Sequence, residues 1–238
     1  MSDTYWLANR PIAHRGLHDQ KYPENSIPAF MEAVRHNYPI ELDVQLSSDG
    51  EIVVFHDYNT FRMTGVFYDI AEVSFSDLSL LRLGKTEYCI PTFEQVLQVV
   101  ERKVPLLIEI KNEGMSYCLE EMLCRRLESY RGEFAIQSFN PFSLRAVKKI
   151  CPNYLTGQLS KSFEHKKFIK KIVLRNCWLN FLSKPKFISY RLDDIPSKML
   201  NKARARGLII CCWTVKTEQY RKKAAKYCHN YIFENIRP

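Results

Sequence analysis

Short apolar runs bounded by turn residues alternate with segments of helical periodicity along the whole chain. The runs predict strands at 11–15, 39–46, 51–56, 105–111, 133–139, 154–159, 186–191, 208–215 and 230–234. The intervals predict helices at 26–37, 92–103, 117–130, 141–150, 165–181, 196–206 and 217–228. This alternation favours a TIM (β/α)8 barrel, an α/β fold with a typical length of about 250 residues. A doubly wound sheet is the alternative, but no glycine-rich nucleotide-binding loop follows a predicted strand.

The composition indicates one globular unit. Hydrophobic residues make up 46% of the chain, which is enough for a large core, and we expect a single domain over 1–238. Weak periodicity at 57–90 predicts a short excursion over the barrel mouth. The longest apolar run, 208–213, is too short to span a membrane. The N-terminus lacks a basic segment followed by an apolar core, and the eight cysteines lack CxxC spacing, so we expect a cytoplasmic protein with reduced thiols.

Charge is unevenly distributed. Residues 1–110 contain 9 Lys and Arg against 16 Asp and Glu, whereas 111–238 contain 26 against 10. Such asymmetry is typical of an acidic site beside a surface drawn to phosphate, lipid head groups or nucleic acid, although solvated helix faces produce the same pattern and are favoured. A nucleic-acid-binding protein is disfavoured, because the best-defined polar cluster of this sequence is acidic.

That acidic cluster comes from two predicted strands. Glu41 and Asp43 alternate with aliphatic residues on one strand, and Glu109 and Lys111 do so on another. Period-two geometry places the carboxylates on one face, which looks inward in a barrel, although an edge strand with a wet face gives the same alternation. Because carboxylate oxygens without a thiolate or histidine set suit hard cations, the sequence predicts one Mg²⁺ or Ca²⁺ site.

His14 and His56 each end a predicted strand, where barrel enzymes place their active sites. A lone histidine there is more often structural, but two beside a cation offer an acid and a base near neutral pH. Arg15 and Lys111 would supply positive charge for an anionic substrate. Together these residues indicate phosphoryl transfer at a phosphodiester and leave the alcohols open.

An ordered set of short motifs carries a family resemblance. They read HRG at 14–16, PENS at 23–26, ELDVQLSSDG at 41–50, VVFHD at 53–57, IPTFEQVL at 90–97, EIK at 109–111, SF at 138–139 and WTV at 213–215. In order and spacing the chain resembles the glycerophosphodiester phosphodiesterase family, in particular its compact intracellular bacterial-type members. The resemblance implies a TIM barrel that hydrolyses deacylated phospholipids, small-molecule substrates, to an alcohol and sn-glycerol 3-phosphate.

The resemblance also implies roles for individual residues. Glu41, Asp43 and Glu109 would bind the divalent cation, and His14 and His56 would form the acid–base pair. The substrate-binding positions are Arg15, Lys111, Glu24, Asn25 and Trp213. The glycerol 2-hydroxyl of the substrate would be the nucleophile and would give a cyclic 1,2-phosphate that water opens.

Two regions leave other expectations. The chain ends in Glu234-Asn235-Ile236-Arg237-Pro238 in place of the T-D-x-P motif typical of the family, which predicts an irregular end without a regular final helix and makes a contribution of Glu234 or Asn235 doubtful. Segment 5–7 would then cover apolar surface. The basic, partly apolar segment 165–175 supports the alternative function, phospholipase D-like activity on lysophospholipid or sphingolipid at a membrane surface, but an outer barrel helix is favoured.

Overall fold

Eight parallel strands close into a barrel in the computed structural model, which describes residues 4–112, 114, 116–162, 177 and 179–238. The strands in chain order are β1 (Ile12–Ala13), β2 (Ile40–Leu46), β3 (Ile52–Val54), β4 (Leu106–Ile110), β5 (Phe134–Ser138), β6 (Thr156–Ser160), β7 (Phe187–Arg191), β8 (Ile209–Val215) and β9 (Asn230–Phe233). β3 is antiparallel to β2, and β1 pairs with both β2 and β9, which closes the ring. The predicted TIM barrel is therefore confirmed.

Helices pack around the barrel, except that the first of them packs against its interior layer. They are α1 (Tyr5–Asn9), α2 (Ile27–Arg35), α3 (Phe61–Thr64), α4 (Phe75–Leu78), α5 (Phe93–Val100), α6 (Cys118–Glu128), α7 (Pro141–Ile150), α8 (Asn180–Ser183), α9 (Lys198–Ala205) and α10 (Glu218–Tyr227). Capping signals in the sequence explain where two of them begin, since Ser26 accepts from the backbone N–H of Ala29 and Thr92 forms a reciprocal capping box with Gln95. No helix among the described residues is long and apolar enough to cross a membrane.

Most of the predicted elements are found, and the exceptions are local. The predicted excursion at 57–90 contains α3, α4 and a 3₁₀ turn at Ile70–Glu72, which periodicity alone did not indicate. Most of the predicted helix 165–181, including the basic segment 165–175, lies outside the described residues. Residues 234–238 form no helix, as expected from the irregular closing motif.

Two apolar layers hold the barrel together. Outward-facing strand residues such as Leu106 and Ile108 pack against the helices, while Leu107 points into the barrel. The interior layer also contains residues from six other elements: Trp6, Leu7, Ile12, Ala135, Phe187, Cys211 and Ile232. The expectation for segment 5–7 is correct for the two residues of α1 that close this layer and wrong for Tyr5, which is exposed.

The closing contact of α1 gives a prediction for stability. Trp6 is 2% exposed and fills the interior layer, so Trp6→Ala should lower the free energy of unfolding by about 3–5 kcal/mol through lost burial and a residual cavity. Tyr5→Ala on the same helix is the matched control and should change it by less than about 0.5 kcal/mol. Urea denaturation of both variants measures the difference, and equal effects would show that α1 does not seal the barrel.

Candidate active site

Three carboxylates meet inside the barrel on two neighbouring strands. Glu41 and Asp43 lie on β2, Glu109 lies on β4, and the sheet register pairs Asp43 directly with Glu109. All three are buried, and their ligand atoms lie within 4.8 Å of one another. The two strands thus bring together the acidic side chains that the alternating pattern placed on one face.

The electrostatics of this cluster fit a divalent cation. Burial, together with the charges of Asp43 and Glu109, raises the pKa of Glu41 well above its usual value. Burial likewise raises the pKa of Glu109 to about 7, although Lys111 opposes the shift. Asp43 Oδ1 is buried and accepts no hydrogen bond from the described residues. Three buried carboxylates that share one site offer oxygen ligands to a hard cation such as Mg²⁺ or Ca²⁺.

The two histidines line one cavity together with Glu41 and Glu109, and this cavity has a volume of about 590 Å³. His14 follows β1, and its Nδ1 lies 3.0 Å from Oε2 of Glu234. His56 follows β3, and its Nδ1 lies 2.7 Å from Oδ1 of Asp57. Burial lowers the pKa of both imidazoles, and the carboxylate partner of each one opposes that shift. Each histidine therefore contacts a carboxylate through Nδ1, which leaves Nε2 as the ring nitrogen for other contacts.

Two cations border the carboxylate cluster. The backbone N–H of Arg15 donates to Glu41 at 3.0 Å, and the Arg15 guanidinium Nε lies 3.5 Å from Asp43 Oδ2. Lys111 Nζ lies 3.2 Å from Glu109 and 3.8 Å from Asp43. Burial alone would raise the pKa of Asp43. The two cations outweigh this effect and hold the pKa below its usual value. Within the cluster, the pKa of Asp43 is thus lowered, whereas the pKa values of Glu41 and Glu109 are raised.

Two residues of the PEN motif contact side chains of the site. Asn25 Nδ2 donates to Asp43 Oδ2 at 2.9 Å, so this amide orients a cluster carboxylate. Glu24 accepts a hydrogen bond from Arg15 at 2.6 Å and also forms an ion pair with Arg62. Arg62 in turn forms an ion pair with Asp57. Both PEN residues contact site side chains, and Arg62 is a further residue of the site that the sequence did not predict.

A tight turn after β1 brings this support into place. Arg15 and Gly16 both have positive φ, and a Cβ at Gly16 would lie 2.9 Å from the backbone carbon of Ala29. The backbone N–H of Asn25 donates to the Arg15 carbonyl at 3.0 Å, which joins the HRG and PEN turns. Only glycine combines that conformation with that close approach, which explains the residue type at position 16.

Aromatic residues form another part of the cavity wall. Trp213 makes an edge-to-face contact with Phe139 at a centroid distance of 5.8 Å, and its Nε1 donates to the Ser189 carbonyl. Lys161 lies over the Phe139 ring. The structure therefore brings together the ten residues predicted for the site, with Trp213 lining the cavity beside Phe139.

Glu234 is where the sequence expectation needs correction. Its contribution was doubtful because the closing motif is irregular, yet it contacts His14 and lies 3.1 Å from Lys216. Asp57 could have been found from its position directly after His56, whereas nothing local marks Arg62 or Glu234.

A barrel with a carboxylate cluster suited to a cation and two imidazoles at one mouth is typical of a class of phosphodiesterases. Comparison with known proteins identifies the family. The model of the Glycerophosphoryl diester phosphodiesterase family matches residues 14–234. The chain belongs to this family, and the resemblance inferred from its motifs is confirmed.

Individual relatives agree with this assignment. The YhdW protein of Bacillus subtilis, named after the same activity, is 31% identical over 229 residues, which are 90% of this chain and 88% of that protein. A glycerophosphodiester phosphodiesterase of Caldanaerobacter subterraneus is 36% identical over 62% of this chain and 65% of its own. A phosphodiesterase of Oleispira antarctica, solved with the product sn-glycerol-3-phosphate, has the same fold at 22% identity, with a TM-score of 0.82 and coverage of 97% and 94%.

Proposed function

We propose that this protein hydrolyses glycerophosphodiesters, the deacylated phospholipids, to an alcohol and sn-glycerol 3-phosphate. The observation that carries the proposal is the pairing of two carboxylate-held histidines, His14 and His56, with a buried carboxylate cluster in one cavity. Family membership and the product named for the Oleispira relative support the substrate class.

Each histidine takes part in one proton transfer. One imidazole accepts the proton of the glycerol 2-hydroxyl, whose oxygen attacks phosphorus while the bond to the head-group oxygen breaks. The second imidazole gives a proton to that leaving oxygen. Water then opens the cyclic 1,2-phosphate with the proton transfers reversed. Intramolecular attack gains effective concentration and requires no protein nucleophile.

The cationic groups act on the phosphate. Arg15 and Lys111 lie beside the cluster and would contact the non-bridging oxygens of the substrate. Glu41, Asp43 and Glu109 would hold one Mg²⁺ or Ca²⁺, which supplies Lewis-acid stabilisation of phosphoryl charge. Asn25 and Glu24 keep Asp43 and Arg15 oriented, and Trp213 bounds the space for the organic part of the substrate.

We also propose a cytoplasmic location. All eight cysteines are free, and free thiols suit a reducing compartment.

The direct test is release of sn-glycerol 3-phosphate from glycerophosphocholine and glycerophosphoethanolamine with Mg²⁺, with Ca²⁺ and with excess chelator. Release that requires one of the two ions is the expected result and identifies the cofactor. Lysophosphatidylcholine in vesicles serves as the parallel substrate. Turnover of this lipid with none of the deacylated compounds would contradict the proposal and favour a lysophospholipase D.

A further inference from the structure

Glu234 is fixed at the junction of three strands. It is the first residue after β9, and its backbone N–H donates to the Val215 carbonyl on β8 at 3.0 Å. The backbone N–H of His14, after β1, donates to the Phe233 carbonyl, also at 3.0 Å. These ladder bonds hold the Glu234 carboxylate and the His14 imidazole in one register.

The carboxylate has two defined partners. Oε2 lies 3.0 Å from His14 Nδ1, and Oε1 lies 3.1 Å from Lys216 Nζ. The hydrogen bond to His14, helped by Lys216, lowers the pKa of Glu234 to about 2. An ionised carboxylate can only accept hydrogen bonds, so Nδ1 of His14 is the donor and Nε2 retains the lone pair.

The second histidine is held in the same manner by different residues. Asp57 pairs with Nδ1 of His56 through one oxygen and with Nε of Arg62 through the other. Each imidazole therefore has a carboxylate on Nδ1, and each carboxylate has a cation on its other oxygen. Two unrelated parts of the chain supply the same geometry, which argues that this geometry serves the imidazoles.

We infer that Glu234, anchored by Lys216, is the positioning residue for His14: it fixes the Nδ1–H tautomer and presents Nε2 to the phosphodiester. This inference rests on the proposed function, because it assigns a reactive nitrogen. Glu234 acts through His14 and does not touch substrate.

Other groups near His14 do not replace this role. Arg15 and Asp43 also influence its charge, and His18 places a nitrogen within 4.8 Å of both His14 and Glu234. A metal ion that bound His14 through Nδ1 would displace the proton that Nδ1 donates to Glu234. The protonation state of Nδ1 therefore separates positioning from metal binding.

The first measurement is the ¹⁵N–¹H NMR correlation of the His14 ring in the wild-type protein with Mg²⁺. A protonated Nδ1 and a non-protonated Nε2 at neutral pH are expected. The opposite tautomer, or a metal shift at Nδ1, would overturn the inference. This readout needs no turnover, so it remains decisive even if the proposed function fails.

The kinetic test uses Glu234→Gln, Glu234→Ala and the control Glu218→Gln, an exposed carboxylate on α10. Both Glu234 variants should lose about 10²-fold in kcat with KM changed less than about threefold, because a second-sphere partner orients the imidazole without binding substrate. Formate should restore part of the kcat of Glu234→Ala, and Glu218→Gln should match the wild type. Unchanged kcat in a folded Glu234→Gln protein, or a loss confined to KM, would overturn the inference.

Discussion

Glu41→Gln should abolish metal-dependent turnover and at the same time make the metal-free protein more stable. The glutamine oxygen can still accept from the Arg15 backbone N–H, so the change removes charge and little else. Loss of a cation ligand removes several kcal/mol of phosphoryl stabilisation, which corresponds to about 10³-fold or more in kcat/KM. Relief of repulsion between buried carboxylates should raise the free energy of unfolding by about 1–2 kcal/mol.

The sign of this stability change depends on pH. A carboxyl whose pKa is higher in the folded than in the unfolded protein contributes stability at low pH and loses it as the pH rises through the folded-state value. The free energy of unfolding of the metal-free wild type should therefore fall as the pH rises toward about 7, the pKa of Glu109. The pKa of Glu41 is also raised, so Glu41 contributes to the same loss of stability. Glu41→Gln should weaken less, so its advantage grows toward pH 8.

Thermal unfolding at pH 5 and pH 8, with and without Mg²⁺ or Ca²⁺, measures both effects. Wild type should gain more from the ion at pH 8 than at pH 5, because binding competes with protons. Glu72→Gln, an exposed carboxyl in the 57–90 excursion, is the control and should change neither stability nor turnover. A Glu41→Gln protein that retains turnover, or that is less stable without metal at pH 8, would contradict the assignment of this cluster.

The parts of the fold and site that the sequence predicts follow from local rules. Strand periodicity of two decides which side chains point inward, so Glu41, Asp43 and Glu109 could be placed on one face before their distances were known. The carboxyl ends of parallel strands meet at one mouth, which brings His14 to the same place.

Other features depend on how the barrel closes. Glu234 lies 220 residues from His14, and only the pairing of β1 with β9 makes them neighbours. Arg62 reaches Glu24 across 38 residues from a helix of four residues, too short to show periodicity. The same holds for α1, whose five residues are stabilised by the burial of Trp6 and carry no helical signal of their own.

His14→Ala and His56→Ala should each lower kcat/KM for glycerophosphocholine by about 10²–10⁴-fold, the range expected for loss of a positioned acid or base. The two variants should differ on a substrate whose leaving group needs no proton. With glycerophospho-p-nitrophenol, the kcat/KM of the variant that lacks the acid, taken relative to the wild type, should rise at least about tenfold over its value with glycerophosphocholine. The variant that lacks the base should show no such rise.

This comparison assigns the two proton-transfer roles, because both side chains contact the same cavity and both keep Nδ1 for a carboxylate. His36→Ala is the matched control: its imidazole pairs with Glu32 at the exposed end of α2 and should leave both rates within about twofold of wild type. Recovery of neither variant would show that protonation of the leaving oxygen does not come from this pair. Recovery of both would show that neither histidine takes the proton of the 2-hydroxyl, and the base would then have to be sought among the other residues of the cavity.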